Sequence, residues 1–210
     1  LVHDFADREG ETDLVYPADA VTAADVARLR TDAGGLVCVA LDATVADAWG
    51  LPFLADAVDH PATEGRPAYD ERSSFSLSVN HRETRTGVTD DDRATTIRAL
   101  GEGAADPASV DFADTFRSPG HVHLLRAAPS LAERRGHTEL AVALAREAGR
   151  PPAAVVCEML DDDSGLAPAA TRSATGSSSS RATTWSRRSA DRLRPGEAIL
   201  AVVGASPRRI

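Results

Sequence analysis

The stretch Asp7-Arg8-Glu9-Gly10-Glu11-Thr12-Asp13 carries carboxylates at every second position. In extended backbone, side chains two apart share a side, so Glu9, Glu11 and Asp13 converge as three hard oxygen donors. Such a set suits Mg²⁺ or Mn²⁺. Taken alone, the same residues read more readily as a solvated acidic loop, the commoner fate of such charge.

A second stretch, Arg134-Arg135-Gly136-His137-Thr138-Glu139, combines an imidazole ligand with a helix start. Thr138 is expected to cap a helix whose free amide groups attract a phosphate, and Arg134 adds a planar cationic fork for the same anion. An ordinary capped helix with a surface histidine is the bland alternative. In Arg117-Ser118-Pro119-Gly120-His121-Val122-His123, His121 follows a Pro-Gly turn and leads into a strand, where an imidazole can shuttle protons near neutral pH. Strand alternation would place His121 and His123 on one face. Glu158 closes the apolar run Ala153 to Cys157, where partial desolvation would favour a proton-carrying role; a water-facing carboxylate is the usual outcome.

These groups need a scaffold, and the pattern predicts helices alternating with strands. Thr22 and Asp25 form a capping-box pair ahead of Val26 and Leu29, and Gly34-Gly35 end that helix. Leu36 to Leu41 reads as a buried strand and Phe75 to Val79 as a half-buried one. Asp90 to Asp92 are expected to cap a helix carrying Ile97 and Leu100. Val122–Leu125 and Ala153–Val156 are further strands, and a helix from Thr138 to Ala148 stops at Gly149 before Pro151. The fold class is therefore α/β: one compact sandwich with a mixed sheet flanked by helices.

Composition narrows the chemistry. All 23 basic residues are Arg, which excludes a P-loop and any Lys Schiff base. No dinucleotide fingerprint, His-Glu-x-x-His or nucleophile elbow occurs, so no organic cofactor is expected. Residues 171–210 hold 8 Arg against 2 acids, leaving an acidic body over residues 1–170. That body argues against nucleic acid as a partner. No apolar run nears the roughly 20 residues of a membrane helix. Cys38 and Cys157 stand far apart, as in a reduced cytoplasmic protein. Lys-free, acid-rich usage suits a halophilic cytoplasm or a GC-rich genome. Leu1-Val2 reads as a strand already under way, so a truncated N-terminus is expected. From Thr171 to Ala190, Ser, Thr and Arg fill 15 of 20 positions; this irregular tail reads as disordered, as a linker or as the product of a shifted reading frame.

In this order, the segments resemble 3,4-dihydroxy-2-butanone 4-phosphate synthases of the archaeal type, from about Val2 to Pro168. The combination Asp-Arg-Glu-x-Glu-x-Asp, Arg-x-x-Gly-His and Arg-x-Gly-His-Thr-Glu carries the resemblance. Asn80-His81-Arg82, Thr86-Gly87 and Asp92-Arg93-Ala94 extend it. It implies conversion of ribulose 5-phosphate to the four-carbon phosphate and formate, with two Mg²⁺ (or Mn²⁺) ions per site, in a homodimer with sites near the subunit interface. It further implies Glu9 and His137 as metal ligands. Arg8, Glu9, Asp13, Arg134, Arg135, Gly136, His137, Thr138 and Glu158 would hold substrate, and His121 and Glu158 would be catalytic. Glu11 and Cys38 would be additional site residues. Gly10 and Thr12 differ from the bacterial acidic loop, Arg135 stands where many members have Gly, and the tail replaces a final helix and strand. The competing readings are another metal-dependent sugar-phosphate isomerase or lyase, and a catalytically inactive sugar-phosphate-binding homologue.

Overall fold

The computed structural model describes residues 1–3, 11–65, 67 and 70–160. Arg8, Glu9 and the Ser/Arg tail, including Ile199 to Val203, lie outside the described residues. The elements in chain order are β1 (Val2–His3), β2 (Thr12–Pro17), α1 (Ala23–Asp32), β3 (Cys38–Leu41), α2 (Ala43–Ala48) and α3 (Leu54–Ala57). They continue with β4 (Phe75–His81), α4 (Asp90–Gly103), α5 (Phe112–Thr115), β5 (Phe116–Arg126), α6 (His137–Glu147) and β6 (Ala153–Glu158). The strands form one six-stranded sheet in the order β1-β2-β6-β3-β5-β4. Only the β3–β5 pairing is parallel, so the sheet is mixed, as the alternation of elements predicts.

Period-two alternation splits the central strands between two cores. Leu14 and Tyr16 of β2, Val39 and Leu41 of β3, and Val155 and Cys157 of β6 face one side, where α1 contributes Val26 and Leu29 and α4 contributes Ile97 and Leu100. Val15, Cys38, Ala40, Ala154 and Val156 face the other side, under Leu140, Ala141 and Val142 of α6. The central strands are thus covered on both faces, which explains their unbroken apolar character. The same parity assigns Asp13 and Glu158 to the α6 face, and the β2–β6 register pairs them directly. Cys38 pairs with Val156 and His123 at the same end of the sheet.

Local chemistry departs from the sequence expectation at several boundaries. Thr22 and Asp25 do form a reciprocal capping box. The cap of α4, however, is Thr89, which accepts from the Asp92 amide; Asp90 to Asp92 occupy the first turn, where acids oppose the positive helix end. The Asp92 carboxylate turns back to accept from the Thr86 and Gly87 amides. β3 begins at Cys38, and Leu36 is left exposed.

Candidate active site

The first turn of α6 carries His137 over the start of β2. Its Nδ1 lies 3.7 Å from a Glu11 carboxylate oxygen, and its Nε2 lies 3.7 Å from Asp13 Oδ1. Nε2 is also 3.2 Å from the Glu11 carbonyl, which can only accept. Donation to that carbonyl requires a proton on Nε2. All three side chains are buried, and their ligand atoms lie within 4.8 Å of one another. The 3.7 Å imidazole–carboxylate separations fall within the roughly 4.2 Å that a cation about 2.1 Å from each donor can bridge, and the donor types suit Mg²⁺ or Mn²⁺. Glu11 and Asp13 share a side as alternation demands.

Glu139 sets the helix start. Its Oε2 accepts from the Gly136 amide at 3.0 Å and from Arg134 Nη1 at 2.6 Å, while Oε1 accepts from the Ala128 amide at 2.9 Å. The N-cap is therefore Gly136, and Thr138 lies one residue inside the first turn. A glutamate reaching back from the third helical position satisfies the free amide without a capping hydroxyl, which is why the Thr138 cap is not realised. A Cβ on residue 136 would stand 2.6 Å from Arg134 Nη1, so glycine lets the guanidinium lie across the helix start. Arg134 also donates through Nε to Asp70 at 2.5 Å. Its fork is thus engaged with two carboxylates. Arg135 is exposed and does not line the cleft.

His121 lies elsewhere. Between the pairs Val79↔Val122 and Asn80↔Arg117, β5 inserts residues 118–121 opposite adjacent residues of β4. The excursion fits because residue 120 is glycine: a Cβ there would meet the Val79 carbonyl carbon at 2.0 Å. The His121 amide donates to Asn80 Oδ1 at 2.9 Å, and the ring lies 3.2 Å from Asn80 Nδ2. The simple alternation expected for His121 and His123 is broken by this insertion. His121 is exposed and outside the cleft formed by its own chain. His123 stacks edge-on against Phe75, and burial, followed by the nearby His121, lowers its pKa from the usual imidazole value.

A cleft of about 640 Å³, counting its open mouth, brings Asp13, Cys38, Arg134, His137, Thr138 and Glu158 together. Glu158 ends its strand exposed to this cleft, so a single chain does not supply the desolvation expected for it. Burial, then Cys157, Glu158 and Asp13, pushes the Cys38 thiol far up, so it is no thiolate at neutral pH. Cys157 rises to about 11, chiefly through burial on the opposite face of the sheet. Arg72, Ser73 and Ser74 also line the cleft and were not singled out from sequence. They come from the irregular segment before β4, which has no periodicity to read. Glu139 was visible in its motif, but its three-donor role depends on where Ala128 and Arg134 fold.

The family profile for 3,4-dihydroxy-2-butanone 4-phosphate synthase matches residues 1–184. This chain belongs to that family. The synthase of Methanosarcina mazei is 54% identical over 181 residues, covering 79% of this chain and 73% of that protein. The Archaeoglobus fulgidus synthase is 52% identical over 182 residues, covering 80% and 76%. Among solved structures, a synthase in complex with two magnesium ions is 35% identical, with a TM-score of 0.63 over 80% of this chain and 74% of that one. The Candida albicans synthase is 35% identical with a TM-score of 0.62, covering 79% and 74%. The α/β fold is thus the synthase fold.

Glu139→Ala would leave the Gly136 and Ala128 amides without an acceptor and the mostly buried Arg134 guanidinium with Asp70 alone. Breaking such a buried arrangement costs about 3–5 kcal/mol. Urea unfolding should show a loss of that size, while Glu139→Gln should lose clearly less.

Proposed function

We propose that this chain converts D-ribulose 5-phosphate to L-3,4-dihydroxy-2-butanone 4-phosphate and formate, the synthase step of riboflavin biosynthesis. The observation that carries the reading is the buried Glu11–Asp13–His137 donor set, whose Asp13 and His137 line an open cleft, in a chain of the synthase family. The reaction balances without oxidant or reductant: five carbons become four plus one, and the water lost at C1 is matched by water taken up when C4 leaves. Lysine chemistry is not required, which agrees with a chain that has none.

His137, Asp13 and Glu11, with Glu9 from the adjoining acidic stretch, are the residues we assign to Mg²⁺, two ions per site; Mn²⁺ would serve the same oxygen-rich set. A divalent cation there supplies Lewis-acid stabilisation of the negative charge that develops on the sugar oxygens. The protein's own contribution is orientation and proton transfer. Asp13 and Glu158, directly paired across β2 and β6, flank the substrate from one side, and Thr138 offers a hydroxyl from the helix. Removal of the C3 proton, protonation of the departing C1 hydroxyl and the later transfers fall to Glu158, His121 and the acidic stretch together. Arg8, Arg134 and the turn around Gly136 form the rest of the substrate-holding set, Arg135 stands outside the cleft of its own chain, and the protonated Cys38 thiol acts as cleft wall.

His121 needs a second chain. Its exposed position on the β5 excursion suits a homodimer in which each copy presents His121 to the other's cleft. Glu158 would then gain the cover that one chain leaves open. We place the assembly in the cytoplasm; no helix among the described residues is long and apolar enough to cross a membrane.

Purified protein should release formate in proportion to ribulose 5-phosphate consumed, lose this on chelation and regain it with Mg²⁺. Isomerisation without formate would instead support a sugar-phosphate isomerase. Glu9→Ala and Asp13→Asn should each abolish formate release without lowering the melting temperature by more than a few degrees. Mixing inactive His121→Ala and His137→Ala proteins should restore partial activity, because mixed dimers hold one intact site. No recovery after subunit exchange would contradict the shared site.

A further inference from the structure

Asn80, Thr86-Gly87 and Asp92 belong to segments that carry the family resemblance, yet none of them lines the cleft. They converge on His121 instead. Asn80 is buried near the end of β4, whereas His121 is exposed on the β5 excursion beside it. Asn80 Oδ1 accepts from the His121 amide at 2.9 Å. That amide can only donate, which fixes the oxygen and nitrogen ends of the side chain. The same carboxamide meets the imidazole edge: His121 Nδ1 lies 3.2 Å from Asn80 Nδ2 and 3.3 Å from Oδ1. One buried side chain therefore grips both the backbone and the ring of His121.

The carboxamide is itself braced. Its face lies against Gly87, where a Cβ would stand 2.1 Å from Nδ2, 2.2 Å from Cγ and 2.3 Å from Oδ1. Gly87 also has a φ of 81°, so the turn demands glycine twice over. The Asp92 carboxylate, in the first turn of α4, accepts from the Gly87 amide at 2.8 Å, the Thr86 amide at 3.2 Å and the Thr86 hydroxyl at 3.0 Å. From β5, Arg117 donates through Nη2 to the Thr84 carbonyl at 2.8 Å, tying the turn to the strand that carries His121.

An imidazole that moves protons at one nitrogen needs the other one held. A protonated Nδ1 donates to Oδ1 and leaves Nε2 to take up a proton and pass it on. A bare Nδ1 accepts from Nδ2, and the ring proton then sits on Nε2. In both tautomers Asn80 occupies the Nδ1 edge.

We infer that Asn80 is a positioning residue for His121: it engages Nδ1 and makes Nε2 the nitrogen that carries protons to and from the sugar in the neighbouring copy's cleft. The Gly87 turn, braced by Asp92 and Arg117, keeps the carboxamide aimed. This rests on the proposed reaction, in which His121 shuttles protons, but the state of the ring is readable without turnover.

The test uses Asn80→Leu, which removes both polar atoms at similar size, and Asn80→Asp, which keeps an acceptor for the His121 amide and for a protonated Nδ1. Formate release by the full chain gives kcat and KM. Nitrogen NMR of histidine-labelled protein, with His121 identified by its loss in His121→Ala, reports the two ring nitrogens. A positioned proton carrier contributes about 100- to 10,000-fold, so Asn80→Leu should lower kcat by at least about 10-fold with KM within about threefold, and Asn80→Asp should keep kcat within about fivefold of the parent. With the ring neutral, the His121 Nδ1 resonance should move to the protonated position in Asn80→Asp and to the averaged value of an unrestrained histidine in Asn80→Leu. A kcat within about twofold of the parent in Asn80→Leu overturns the inference. So does an Asn80→Asp variant as impaired as Asn80→Leu, or a set of ring resonances identical in all three proteins, since either marks a packing role. If the parent releases no formate, the reaction assignment falls, and the ring resonances alone decide whether Asn80 holds Nδ1.

Discussion

His137 reaches from the first turn of α6 to the carboxylates at the start of β2, and this contact fixes how the helix can sit on the sheet. The imidazole and both carboxylates are buried, which is costly for charged groups unless they are balanced. A divalent cation turns the mutual repulsion of two such carboxylates into shared attraction. The expense of assembling the centre is met by the apolar layer below it, where Leu140, Ala141 and Val142 seat α6 on Val15, Ala154 and Val156. Stability and chemistry are therefore coupled through one helix turn. Glu139, by binding Gly136, Arg134 and Ala128, holds that turn in register.

The two-core sheet explains why so few residues suffice. Once one strand face is committed to α1 and α4, parity delivers Asp13, Cys38 and Glu158 to the other face without further instruction. The antiparallel β2–β6 pairing then brings Asp13 and Glu158 side by side from opposite ends of the domain. His121 escapes this logic because residues 118–121 stand outside the paired register of β4, held there by the Asn80 side chain rather than by the ladder.

Much of this was legible beforehand where a local rule decides the outcome. The Thr22–Asp25 box, the apolar runs of β3 and β6, the stop at Gly149 and the shared side of Glu11 and Asp13 all follow from short-range geometry. The motif resemblance supplied the family, and the structure supplied the reason its segments meet. Features set by distant partners stayed hidden. The Thr138 cap failed because Glu139 reaches back to the helix start, and the pairing of Arg134 with Asp70 was hidden because Asp70 lies 64 residues away in sequence. Arg72 belongs to a segment with no periodicity, so only folding shows that it faces the cleft.

The most direct test of the central claim asks whether one cation touches His137. Pulsed electron paramagnetic resonance of Mn²⁺ bound to the protein reports nitrogen nuclei in the metal's first coordination sphere. The account predicts a nitrogen coupling in the parent protein that disappears in His137→Ala. Tightly bound Mn²⁺ lacking any such coupling, or a coupling unchanged by the substitution, would contradict it.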